Sequence, residues 1–139
     1  MKIRNLLWIG LLVILLSACG GAQETILTGD EKDAVLEFSE PMTDNLLAGM
    51  NANDYATFSM DFDEQMLAAM TEANFAEFKK DRDSKLGAYV SRQVDSVRQS
   101  GDFYAVIYKT EFEKDDNVSM RVVFRLADPH NISGLWFDK

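Results

Sequence analysis

Val118-Ser119-Met120-Arg121-Val122-Val123-Phe124-Arg125-Leu126 sets an apolar side chain at every second position, the period of a strand with one face buried and the other in water. It is one strand of a run. Phe103 to Phe112 precedes it, and before that Tyr89 to Arg98 reads as a more polar strand carrying Val90, Val94 and Val97. Ile132 to Phe137 follows. Turn residues separate the strands at Ser100-Gly101-Asp102, Lys114-Asp115-Asp116-Asn117 and Asp128-Pro129-His130-Asn131. Connections this short join antiparallel neighbours, so a meander is expected.

Upstream of Gly87 the period is helical. Asp30 can cap a helix that carries Val35, Phe38, Met42, Leu46 and Met50 on one stripe, widened by Leu36 and Leu47. Pro41 removes a backbone donor and is expected to kink or split it. Gly49 and Asn51-Ala52-Asn53 are the stop. Asp54 opens a short turn with Tyr55 and Phe58, and Asp61 or Asp63 caps a segment with Met66, Leu67 and Met70. Thr71 begins a helix bearing Phe75, Phe78 and Leu86, closed by Gly87. The Lys79-Lys80-Asp81-Arg82-Asp83 cluster reads as a solvated helix face. Helices followed by hairpin-linked strands predict an α+β domain, with N-terminal helices packed on one face of a curved antiparallel sheet.

Composition narrows the function. With 23 acidic against 14 basic residues and a net charge of −9, the surface repels nucleic-acid phosphates. The single Cys excludes an internal disulfide framework, and the single His excludes sites that need two imidazoles. The first residues carry a different message. Lys2 and Arg4 precede an apolar run, Leu6 to Leu16, about half the ~20 residues that span a bilayer. This is the build of a secretory signal. It ends in Leu16-Ser17-Ala18-Cys19, which resembles the lipobox of bacterial lipoproteins. That resemblance implies cleavage between Ala18 and Cys19 and a diacylglyceryl group on the Cys19 sulfur, two or more chains being needed for stable anchoring. The expected organisation is a signal peptide over 1–18, a flexible tether over 19–29 and a domain over 30–139. Cleavage removes Lys2 and Arg4 but no acidic residue, so the mature domain is expected to stand off anionic headgroups. The expected location is the extracytoplasmic face of the cell membrane, or the outer membrane if the source cell has two.

The segments Gly49 to Tyr55, Phe58, Phe62-Asp63-Glu64-Gln65-Met66, Leu86-Gly87 and Ile132-Ser133-Gly134-Leu135-Trp136-Phe137 together resemble the domain-of-unknown-function family 3887, from about Glu31 to the C-terminus. That family is similar to the nuclear-transport-factor-2-like superfamily. The resemblance implies a curved sheet and helices enclosing a cone-shaped pocket.

Candidate chemistry is sparse. His130 sits in a Pro-containing turn with no nucleophile elbow near it. Asp61, Asp63 and Glu64 lack the Gly and terminal Glu of a calcium loop, as do Asp81 and Asp83, so no metal or other cofactor is expected. Tyr55, Phe58, Phe62, Met66 and Met70 from the helices, with Tyr104, Tyr108, Phe124 and Trp136 from the sheet, make either a packed core or the lining of a cone that takes a small apolar ligand. We therefore expect a non-catalytic binding or interaction domain, anchored to a membrane and meeting a small hydrophobic ligand or an envelope protein. One alternative, implied by the isomerases of the superfamily, is an acid–base enzyme with Tyr104 and Tyr108 as donors. The strand acids Glu111 and Glu113 lie on the opposite face from both. Another is a surface-interaction module using Lys109, Arg121 and Arg125 on the outer sheet face.

Overall fold

The computed structural model describes residues 22–139. The expected signal segment, Ala18 and Cys19 lie outside the described residues. Among the described residues the order is β1 (Thr25–Leu27), α1 (Gly29–Ala52), α2 (Tyr55–Ser59), α3 (Glu64–Ala69), α4 (Glu72–Lys85), β2 (Tyr89–Ser100), β3 (Phe103–Phe112), β4 (Asp115–Arg125) and β5 (Ile132–Asp138). The five strands form an antiparallel sheet in the order β1-β2-β3-β4-β5. The α+β arrangement is the one expected, helices on one face of the sheet, and it is consistent with a cone of the nuclear-transport-factor-2-like kind.

α2, α3 and α4 each start where a short polar side chain satisfies an otherwise unpaired amide. Asp54 accepts from the Thr57 N–H, Asp63 from Met66 and Thr71 from Asn74. Of the two candidates for the α3 cap, Asp63 takes the role. α1 begins two residues earlier than expected, with Thr28 as its first flanking residue and Asp30 inside its first turn. It also runs unbroken through Pro41. A proline costs a helix interior about 3 kcal/mol. Val35, Leu46, Leu47 and Met50 are buried on either side, at about 1.5–3 kcal/mol each, and their burial outweighs that cost. The helix ends at Asn53, whose left-handed φ of 55° turns the chain into α2. Gly49 lets the two helices meet there. A Cβ on it would lie 2.2 Å from the Phe58 nitrogen.

The inward rows of the sheet are Leu27–Val97–Val106–Val122–Leu135 and Val94–Tyr108–Met120–Phe137, read across paired strands. They meet Leu46, Leu47, Phe58 and Phe75 from the helices and Phe62 from the α2–α3 connection in a continuous core. Two expectations are corrected here. Residues 25–27, assigned to the tether, are an edge strand paired to residues 97–99, and Leu27 is buried. The turn after β3 is tighter than expected: Phe112 pairs with Asp115, leaving Glu113 and Lys114 at the bend.

Candidate functional site

α1 presents Glu31, Ala34, Val35 and Phe38 at helical spacing, so the four lie along one face of its first turns. Opposite them stand Leu27 of β1, Gln99 of β2, Tyr104 of β3 and His130 of the β4–β5 loop. Together these residues line a half-open cavity of about 330 Å³. One wall is aromatic. The His130 ring stacks on Phe38 at 4.0 Å and 14°, and Phe38 lies 6.0 Å from the Tyr104 ring and 5.9 Å from Phe124. His130 holds this position with a left-handed φ of 61°, and its Nδ1 is 3.0 Å from the Arg125 carbonyl oxygen. A carbonyl only accepts, so Nδ1 carries the proton and in the neutral ring Nε2 is the acceptor. Glu31 is the one carboxylate of the lining.

The lining expected from sequence goes elsewhere, with one exception. Tyr104 borders the cavity. Phe58, Phe62, Met66, Tyr108 and Phe124 are buried against one another and their neighbours, as the packed-core reading has it. Tyr55 and Met70 pack at the edge of that core, where the Tyr55 hydroxyl donates to the Met70 carbonyl at 2.8 Å. Met60, between Phe58 and Phe62, is exposed. Trp136 lies on the other side of the sheet, 52% exposed, with its ring over Gly134. The cause is an irregularity in β5. Pairing shifts between Val123↔Gly134 and Phe124↔Ile132, so Ser133 is an extra residue and the alternation changes phase. Ile132, Leu135 and Phe137 therefore face the core while Gly134 and Trp136 face out.

A second polar assembly joins α1 to the sheet. The Tyr108 hydroxyl donates to Glu40 Oε1 at 2.6 Å and accepts from Thr43 at 3.2 Å. Arg92 donates to Glu40 Oε2 at 3.0 Å, pairs with Asp44 at 2.7 Å and lies 5.3 Å over the Tyr108 ring. Burial, then the Glu40 carboxylate, pushes the Tyr108 hydroxyl well above its ordinary pKa, so it stays protonated. Burial works against the Arg92 charge, but Asp44, Tyr89 and Glu40 outweigh it. Sequence reasoning looked for a carboxylate near Tyr108 only among the strands and missed Glu40. The available signal was the stripe of α1 itself, where Ser39 and Thr43 interrupt the apolar residues and are fully buried.

The outer-face cations are all paired. Arg121 meets Glu24 at 3.1 Å, Arg125 meets Asp63 at 2.7 Å and Lys109 meets Asp95 at 3.2 Å. Among the described residues no three of His, Cys, Asp and Glu gather as a metal site would need, and no helix is long and apolar enough to cross a membrane.

Residues 43–135, more than half of the chain, match the family described as Protein of unknown function (DUF3887). The chain belongs to this family. The matched stretch runs from the middle of α1 into β5, so it contains Thr43, Asp44, Arg92 and Tyr108 of the polar assembly and Gln99, Tyr104 and His130 of the cavity, while Glu40, Leu27 and the α1 residues of the lining precede it. No curated protein and no solved structure matches the chain.

Proposed function

We propose that this DUF3887 member is a lipid-anchored protein of the cell envelope whose domain binds and does not catalyse, and that its ligand is a small, largely apolar molecule held between α1 and the Gln99–Tyr104–His130 end of the sheet. The cavity there carries the reading. At about 330 Å³ it lies near the lower end of the ~300–1,000 Å³ usual for small-molecule sites. Its composition suits that use, with Leu27, Val35 and the Phe38–His130 stack for an apolar body and Glu31, Gln99 and Tyr104 for one polar group. The anchor rests on the Leu16-Ser17-Ala18-Cys19 motif and the apolar run before it.

The acid–base alternative draws on the contact between Glu40 and Tyr108. Both Glu40 oxygens are already engaged, one by the Tyr108 hydroxyl and one by Arg92. A proton arriving from a substrate would have to displace an ion pair, which favours a structural role for this carboxylate and binding as the function.

A fluorescent probe that brightens in apolar surroundings, titrated into the domain, tests the reading. The variant Ala34→Trp fills the cavity from an exposed position of α1 and leaves the core untouched. Binding at least about tenfold weaker in that variant, a loss of about 1.4 kcal/mol, is the expected result. Equal binding by both proteins, with circular dichroism unchanged, overturns the assignment.

A further inference from the structure

We propose that the cavity faces the membrane at close range and takes its ligand from the bilayer, the ligand being an amphiphile with an uncharged or cationic hydrogen-bonding head. The inference rests on the lipid anchor and the binding site proposed above and adds where the ligand comes from and what its head carries.

Chain length carries the first step. Cys19 lies three residues before Ala22. Ala22 is already fastened to the fold, since its carbonyl accepts from the Ser100 hydroxyl at 3.2 Å. Glu24 reinforces this attachment through Arg98 at 2.8 Å and Arg121 at 3.1 Å, and residues 25–27 pair with β2. Whatever conformation the intervening residues take, an extended chain gains at most about 3.6 Å per residue, so the anchoring sulfur is held within roughly 11 Å of the domain along the chain. The eleven-residue tether expected from the sequence would have let the domain swing freely.

Position carries the second step. Ala22 sits beside the β2–β3 turn, because Ser100 holds its carbonyl and a Cβ on Gly101 would lie 3.8 Å from it. Gln99 and Tyr104, which pair with each other, come one residue before and two residues after the glycyl turn's flanking Ser100 and Asp102. The β4–β5 loop that carries His130 is at the same end, since Arg125 pairs with Phe103. The first turns of α1 complete the cavity there. The end of the sheet from which the anchor hangs is thus the end where the cavity opens.

Charge carries the third. Asp30, Glu31, Asp33, Asp102 and Asp128 lie at this end and outnumber Lys32 in the same turn of α1, and a Debye length of about 8 Å at physiological salt is comparable to the reach of the anchor. An anionic head would meet that field and the Glu31 carboxylate together. A neutral alcohol or an amine would not, and either can donate to Glu31 or Gln99.

The test uses the lipoprotein as made by the cell, in phosphatidylcholine vesicles. Because lipidation consumes the Cys19 thiol, Asp102→Cys or Asp116→Cys gives one labelling site, the first at the anchor end and the second at the opposite end. A dye at 102 should be quenched at least twofold more than a dye at 116 by a headgroup quencher, and twenty Gly/Ser residues inserted between Gly21 and Ala22 should abolish the difference. A diazirine-bearing hexadecanol dissolved in the bilayer should crosslink to peptides containing Phe38, Tyr104 or His130, at least fivefold less in the inserted protein. Equal quenching at both positions, or crosslinking indifferent to the insertion, overturns the inference while the binding reading stands on the Ala34→Trp result. Loss of that result removes the site itself.

Discussion

Asp63 concentrates several jobs in one carboxylate. It caps α3 through the Met66 N–H at 2.8 Å, pairs with Arg125 at 2.7 Å and accepts from the Ser133 hydroxyl. Its own N–H donates to the Ile132 carbonyl at 2.9 Å, so the residue ties the helical layer to β5. Burial would raise its pKa, but Ser133, Met66 and Arg125 together hold it below the ordinary 3.8. A carboxyl with a depressed folded-state pKa stabilises the fold above its unfolded value and loses that contribution as pH falls through the folded one. Asp63→Asn keeps a capping oxygen but gives up the charge. It should cost about 1.5–3 kcal/mol at neutral pH, the range for hydrogen bonds to charged groups. Urea unfolding should show the gap between variant and parent starting to narrow as the pH drops below about 4, the unfolded value, and continuing to narrow until the pH is below the depressed folded-state pKa, where both side chains are neutral. A gap that stays constant over that range would mean that the charge contributes nothing.

At the level of elements, β5 shows how one inserted residue redirects a strand. Strict alternation from Ile132 puts Trp136 in the core, and the extra residue at Ser133 puts Phe137 there instead. Phe137 packs edge-on against Phe112 at 5.8 Å, lies 6.1 Å from Phe78 and has the Arg82 guanidinium 5.1 Å over its ring. Phe137→Ala should therefore destabilise by about 3 kcal/mol. Trp136→Ala, though it deletes a larger side chain, should stay within about 1 kcal/mol, because that ring is half in solvent. Denaturant midpoints of the two variants decide it; the reverse order would put Trp136 inside. α1 makes a related point about context. Pro41 argues locally for a break, and the burial on both sides keeps the helix whole.

For the molecule as a whole, the proposed location of the domain rests on the Leu16-Ser17-Ala18-Cys19 motif. Cys19→Ser should leave the precursor uncleaved or shed the domain from membranes, because without acyl chains the anchor loses about 0.8 kcal/mol for every methylene it would bury. Membrane fractionation and the intact mass of the purified protein check this. A variant that matures normally and still pellets with membranes would rule out lipidation at this sulfur. With the proposed anchor at Cys19, the strand attachment of residues 25–27 sets which end of the domain would lie near the lipid.

Periodicity was enough to read the α+β class, three of the four helix starts and most of the strand boundaries, because caps, left-handed turns and hydrophobic alternation act over a few neighbouring residues. The same local rules placed most of Tyr55, Phe58, Phe62, Met66, Met70, Tyr108 and Phe124 on inward faces. Whether those faces enclose a space or fill it depends on how tightly the helix layer closes on the sheet, and no window of sequence contains that distance. The cavity lies instead at one end, built from five segments brought together by strand pairing and the packing of α1, with His130 delivered by a loop and Leu27 by a strand only three residues long. Glu40 meets Tyr108 across sixty-eight positions of chain. Contacts of that span are made when the chain closes on itself, so they belong to the folded molecule and leave almost no trace in local pattern.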